Sequence, residues 1–262
     1  MGGVRRLLTI PISHFCEKAR WALERAGLEY DEERHVQGVH QVVSRRAGGA
    51  GTLPVLITDD AVFRESEDIL RYADAALAPE ERLFPAEPAL RDEVVALCRR
   101  FDTGLGPDAR RLMYAHMLSR RDELLAINNQ GVPAWEDRFL RIGWPLVKRY
   151  AASQLGIGPT TIRDDDARVR RELDEVAELL ADGRPYLCGE RFTAADLTFA
   201  ALAAAAIIPP GYGTPLPQPG EVSATIGAVV RSFREHPAGA YALELYRTHR
   251  HARAGAVAGA AR

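Results

Sequence analysis

Hydrophobic periodicity changes character once along this chain, and that change constrains its fold more than any other feature. Up to about Ala76, short apolar runs alternate with helical patterns. Leu7 to Ile10 reads as a buried strand, and Ser13 to Ala26 as a helix with Phe15, Ala19, Ala22, Leu23 and Ala26 on one face, closed by Gly27. Leu28 to His35 reads as a more exposed strand, and His40 to Arg46 as a weak helix running into the glycine-rich stretch from Ala47 to Gly51. Val55-Leu56-Ile57 and Ala61-Val62-Phe63, with Asp59-Asp60 between them, predict a hairpin, and Arg64 to Leu77 a helix. The order is β-α-β-α-β-β-α, which one small sheet covered by helices would bury. Between Ala78 and Pro88 the pattern lapses into Pro-Glu-Glu-Arg and Pro-Ala-Glu-Pro.

Beyond Pro88 nothing alternates. Leu90 to Phe101, Arg110 to Ile127, Pro133 to Leu155, Ile162 to Ala181, Thr193 to Ile208, Val222 to Phe233 and Ala238 to Tyr246 all carry helical spacing. The expected organisation is therefore an α/β domain over residues 1–78, a linker over 79–88, an all-α helical-bundle domain over 89–248, and a disordered tail over 249–262 in which His249 and His251 are solvated.

Several function classes drop out on composition. The net charge at pH 7 is −2, and the arginines interleave with acids, as in Arg163-Asp164-Asp165-Asp166-Ala167-Arg168. No basic stripe for nucleic acid results. The most apolar segment, Ala200 to Ile208, is too short to cross a membrane. Cys16, Cys98 and Cys188 are far apart and lack metal-ligand spacing, so no disulfide framework and no metal site is expected. With Pro11 breaking the only apolar run that follows Arg5-Arg6, no signal peptide is read, and a cytoplasmic location is expected.

Chemistry concentrates at the first strand-to-helix turn, where Ser13, His14 and Cys16 stand within four residues. A helix N-terminus offers free N–H groups and a positive dipole end to an anion or thiolate. Ser13 is also a good N-cap, a role that needs no ligand. Cys16 would have a lowered pKa if exposed, although free cysteines are often buried. Leu53-Pro54 opens a strand, where a proline is tolerated; a cis bond there would turn the Leu53 backbone toward a ligand's peptide groups. Glu65-Ser66 starts a helix, with a capping role sufficient in itself and an amino-acid head group as the functional alternative. Thr193 and Asp196 have capping-box spacing, with Phe192 and Leu197 as the hydrophobic staple, and this reads as a folding element.

Taken in order, Ser13-x-Phe15-Cys16-x-Lys18-Ala19-Arg20, Leu53-Pro54-Val55-Leu56, Glu65-Ser66-x-x-Ile69 and Arg184-Pro185-Tyr186-Leu187-Cys188-Gly189-x-x-Phe192-Thr193-x-x-Asp196 resemble the cytosolic glutathione S-transferase family. The resemblance implies a thioredoxin-like N-terminal domain, an all-helical C-terminal domain and a homodimer. It implies an enzyme that activates glutathione, or a similar low-molecular-weight thiol, for attack on an apolar electrophile, with no cofactor beyond that co-substrate. Ser13 falls where serine-type members hold the hydroxyl that stabilises the thiolate. Cys16 matches the second cysteine of a glutaredoxin-like pair, which keeps open a thiol–disulfide or deglutathionylating reductase using Cys16.

Further along, Leu53 and Pro54 match the pair that binds the cysteinyl backbone of glutathione, and Glu65 and Ser66 the pair that grips its γ-glutamyl end, with His14 and Phe15 lining the same site. The electrophile would lie between the domains, with Met113, Tyr114 and Met117 as candidates. Two departures stand out. His14 occupies a common proline position, bringing a second group that titrates near neutral pH. Gly51-Thr52 replaces a lysine, leaving His40, Arg45 or Arg46 to meet the glycine carboxylate. These departures also admit a non-catalytic binding protein on the same fold.

Overall fold

The computed structural model describes residues 4–252. The N-terminal part runs β1 (Arg6–Thr9), α1 (His14–Arg25), β2 (Asp31–Arg34), α2 (Val39–Arg46), β3 (Val55–Ile57), β4 (Val62–Phe63) and α3 (Ser66–Ala75). Its sheet has four strands in the order β2-β1-β3-β4. β1 pairs parallel with β2 and antiparallel with β3, and β3 pairs antiparallel with β4. This is the predicted thioredoxin-like arrangement. Leu7 and Leu8 are buried on opposite faces of β1, so its apolar run reads continuously rather than alternating.

A 3-10 turn at Pro79–Glu81 leads to the helical part, which contains α4 (Pro88–Thr103), α5 (Leu105–Met117), α6 (Arg121–Asn128), α7 (Ala134–Gln154), α8 (Thr161–Leu179), α9 (Ala194–Ile207), α10 (Ala224–Arg234) and α11 (Pro237–His249). α9 sits at the centre. It is apolar on every side and nearly all of it is buried, as a helix surrounded by other helices must be. The capping box at its start is formed. The Asp196 carboxylate accepts from Thr193 N–H at 2.7 Å, Leu187 N–H at 2.8 Å and Tyr241 O–H at 2.6 Å.

Two expectations need correction. The single helix over Arg110 to Ile127 is two helices, α5 and α6, with Arg120 between them in a non-helical conformation (φ −112°, ψ 65°). α5 also begins earlier than its apolar spacing suggests, because Gly104 ends α4 and Pro107 is tolerated in a first turn. The chain after Thr248 is likewise not a free tail where it is described. α11 reaches His249, which is buried and stacks on Phe192 with centroids 4.4 Å apart, while its Nε2 shares a 3.0 Å hydrogen bond with Tyr186 Oη. Arg250 is buried too, paired with Glu17 and Glu24 of α1. Composition gave no sign of this, because the partners lie about sixty residues away for His249 and more than two hundred for Arg250. His251 is exposed, and residues 253–262 lie outside the described part.

The two parts are joined by buried charge as well as apolar contact. Lys18 of α1 is fully buried and donates to Asp102 of α4 at 2.8 and 2.9 Å and to Glu67 of α3 at 3.3 Å. Among the described residues, no helix is long and apolar enough to cross a membrane.

Candidate functional site

The site is built on the turn between β1 and α1. Ser13 N–H donates to the Ile10 carbonyl at 3.1 Å, which closes the turn. Arg20, buried below it, donates to the Pro11 carbonyl at 3.3 Å while its Nε holds Glu32 at 2.8 Å. From the helical part, Thr214 Oγ1 donates to the Pro11 carbonyl and Tyr212 O–H to the Ile12 carbonyl, both at 3.1 Å. The turn is thus fixed from both domains, and its backbone leaves little freedom to what it carries.

Ser13 is the N-cap of α1, in extended conformation (φ −73°, ψ 119°). Its Oγ accepts from Cys16 N–H at a long 3.4 Å. The hydroxyl proton is not used in that bond, and Ser13 lines a cavity together with His14, Thr52, Leu53, Gln37 and Gln41. The Leu53-Pro54 bond is cis. Among the described residues, neither the Leu53 N–H nor its C=O has a hydrogen-bond partner.

His14 adjoins this cavity as expected, but it does not titrate near neutral pH. It is buried, and its Nε2 meets the Gly106 carbonyl of α5 at 3.0 Å. Burial first, and the Arg110 guanidinium second, lower its pKa to about 3. Its ring is neutral and donates across the domain boundary. His40 lines the cavity too, and burial lowers its pKa to about 4, so it brings no positive charge. Arg45 lies over Gly51 and Arg46 is exposed; neither lines the cavity.

Other expected residues stand apart from this cavity, Pro54 among them. Cys16 is fully buried, packed with Leu8, Leu53 and Val55, and its Sγ accepts from Ile10 N–H at 3.4 Å. Burial pushes this thiol up, the opposite of what a nucleophile requires. Phe15 packs against Gly106 at the domain boundary and does not line the cavity. Glu65 and Ser66 stand at the N-terminus of α3, where no side chain caps the first turn and its N–H groups are open to an acceptor. Burial and the nearby carboxylates raise the Glu65 pKa.

A second cavity adjoins the first through His14, Tyr114 and Arg110, and its remaining walls are almost wholly apolar. Met113 and Met117 of α5 line it, together with Leu124, Ile127 and Ile226. Ile208 closes one end. It takes a left-handed conformation (φ 44°) at the end of α9, uncommon for a β-branched residue, and Arg234 Nε holds the preceding carbonyl of Ile207 at 2.7 Å.

Helix α7 covers the first cavity. Tyr150 exchanges hydrogen bonds with Gln41, the shorter at 2.8 Å, and Glu136 at the α7 N-terminus accepts from Val36 N–H and meets His35 Nδ1, both at 2.9 Å. Sequence reasoning did not single out Arg110, Gln37, Gln41 or Tyr150. For Arg110 a signal existed, because it shares a helical stripe with Met113, Tyr114 and Met117. Among the described residues, no group of three or more His, Cys, Asp or Glu side chains could hold a metal ion.

With this geometry in view, the similarities to known proteins can be placed. Residues 7–81 match the glutathione S-transferase N-terminal domain family, and residues 159–224 match the glutathione S-transferase C-terminal domain family. The two matches together span just over half the chain, and the chain belongs to the glutathione S-transferase family.

Solved structures agree on the fold. A glutathione S-transferase of Ceriporiopsis subvermispora in complex with glutathione is 17% identical, with a TM-score of 0.62 over 94% of this chain and 97% of that one. One from Xanthobacter autotrophicus is 16% identical, with a TM-score of 0.59 over 97% and 98%. A theta-class enzyme from Xanthomonas axonopodis with glutathione bound is 20% identical, with a TM-score of 0.56 over 92% and 97%. No curated protein matches the sequence.

Proposed function

We propose that this chain is a transferase that activates the thiol of glutathione, or of a similar low-molecular-weight thiol, and delivers it to an apolar electrophile. The observation that carries the reading is the state of Ser13. Its Oγ is occupied as an acceptor by Cys16 N–H, so its O–H is the group free to donate into the cavity. A thiolate bound there receives that hydrogen bond and the positive end of α1, and both favour the ionised sulfur. The thiol proton leaves to solvent. The sulfur then forms a bond to the electrophilic carbon, and the leaving group departs with its electron pair.

The unpaired N–H and C=O of Leu53 suit the cysteinyl backbone of the thiol. The open N-terminus of α3, with Ser66, suits the γ-glutamyl carboxylate. The second cavity receives the electrophile. The reading needs no cofactor. A reductase reading through Cys16 has no comparable support, because that thiol is buried with a raised pKa.

The proposed assembly is a homodimer. Its support is a stripe of exposed apolar side chains on α7: Trp135, Phe139, Ile142 and Leu146. A cytoplasmic location is proposed from three free cysteines and no disulfide among the described residues. The decisive experiment is Ser13→Ala with glutathione and a chromogenic aryl chloride. Loss of one hydrogen bond to a charged sulfur lowers kcat/KM by roughly tenfold or more. An unchanged rate removes Ser13 from the mechanism. Sedimentation of the native chain and of Ile142→Asp tests the dimer.

A further inference from the structure

One of the side chains shared by the two cavities is unlike everything around it. Arg110 projects from α5 at their junction, its guanidinium carbon 5.8 Å from the centre of the Phe15 ring. Its Nε is buried and has no hydrogen-bond partner. Its titratable neighbours are a neutral phenol, Tyr114, and another arginine, Arg111; among the described residues it forms no ion pair with a carboxylate. Arg111, the next residue, shows the contrast: it forks onto Asp165 and reaches Asp108.

Elsewhere in the same neighbourhood, positive charge is absent. His14 and His40 are neutral, so Arg110 is the one cation lining either cavity among the described residues. A half-buried guanidinium without a counter-charge is costly, and guanidinium keeps its proton even when burial lowers its pKa. The apolar walls beside it, Met113, Met117, Leu124 and Ile226, offer nothing to a second polar group. A molecule that satisfies both conditions has an apolar body and one negative group at the end nearest the thiol site.

We infer that the electrophile accepted here carries a single anionic group, a carboxylate or sulfonate, which Arg110 holds while the apolar body fills the second cavity. The inference rests on the conjugation reading above and names its substrate class. With an aryl chloride that bears a carboxylate, the thiolate sulfur bonds to the chlorine-bearing carbon, and chloride leaves with the bonding pair. The carboxylate itself is unchanged and serves to orient the ring.

The test compares a chloronitrobenzoate with its neutral chloronitrobenzamide, glutathione being the thiol. For the native chain, kcat/KM for the acid, corrected for the uncatalysed rates, should exceed that for the amide by about tenfold or more, the worth of a charge-assisted hydrogen bond away from water. In Arg110→Gln that ratio should collapse toward one, and in Arg110→Lys part of it should survive. Equal use of acid and amide by the native chain overturns the inference without any variant. So does an Arg110→Gln chain that keeps the ratio and loses affinity for glutathione, which would give the guanidinium to the tripeptide instead. If neither compound is conjugated, the conjugation reading fails, and titration calorimetry of acid and amide decides separately. Preferential binding of the acid, lost in Arg110→Gln, sustains the anion site, and equal binding overturns it.

Discussion

The two walls of the cleft beside Ser13 are made of different material. The wall from the N-terminal domain is set largely by backbone: a turn closed by Ser13 N–H on the Ile10 carbonyl and the unpaired groups of Leu53. The facing wall is side chain, drawn from α5, α6, α9 and α10 and from the loop between the last two. Backbone groups at turns recognise what every substrate of one kind shares. Side chains from separate helices can be exchanged one at a time without disturbing a turn. A thiol common to many reactions belongs on the first wall, and a particular co-substrate on the second.

The comparison can be broken at several points, and the largest expected effect lies where the walls are joined. Replacing Asp102 by Ala leaves Lys18 buried beside Glu67 alone. Removing one partner of a buried pair costs about 3–5 kcal/mol, read by chemical denaturation. A loss below about 1 kcal/mol would show the domains to be held by apolar contact alone.

Acid comes second. His14 has its pKa lowered from 6.5 to about 3, so its contribution is complete above 6.5 and is lost as the pH falls toward the folded value. The loss attributable to His14 is about 2 kcal/mol by about pH 5, at roughly 1.4 kcal/mol per pH unit. His14→Gln should flatten that limb of the stability curve, and a curve of unchanged slope would return His14 to solvent.

Ser13→Ala comes third and strikes the wall from the N-terminal domain. The expected fall in kcat/KM comes with stability reduced by about 1 kcal/mol, since the cap bond is long. Smallest is Gln41→Ala, which frees Tyr150 and loosens α7 over the thiol cavity. About 0.5–1 kcal/mol of stability should go, seen as a shift in midpoint without a change in slope. A larger effect would mean that α7 is held at this point alone.

The same division governs what could be read from the sequence. The β1-α1 turn, the Leu53-Pro54 strand start and the capping box of Thr193 and Asp196 are each set by residues close together in the chain, so their patterns survive as motifs. Met113 and Met117 were legible because a single helix carries both. The burial of Cys16 was weighed from the base rate for its type, and the structure agrees. Arg110 was hidden because its meaning lies in the absence of a partner, which no local pattern displays. His14 looked titratable because its acceptor, Gly106, lies ninety-two residues on. Arg250 escaped for the same reason, with Glu17 two hundred and thirty-three residues before it.

Gly106 joins these threads. A side chain there would place its first carbon 2.7 Å from Phe15 Cζ and 3.2 Å from Leu202 Cδ1. The first turns of α1 and α5 therefore meet at the distance a hydrogen atom allows, with the His14 ring bridging to the Gly106 carbonyl beside the contact. One methyl group at this position would act as a wedge against the Phe15 ring, and whatever displacement the ring did not absorb would tilt α5 and with it Arg110, Met113 and Tyr114. The width of the cleft is set at a point that touches no ligand. Selectivity for the co-substrate can thus be tuned by its lining, while the gauge of the whole opening is locked by a residue with no side chain at all.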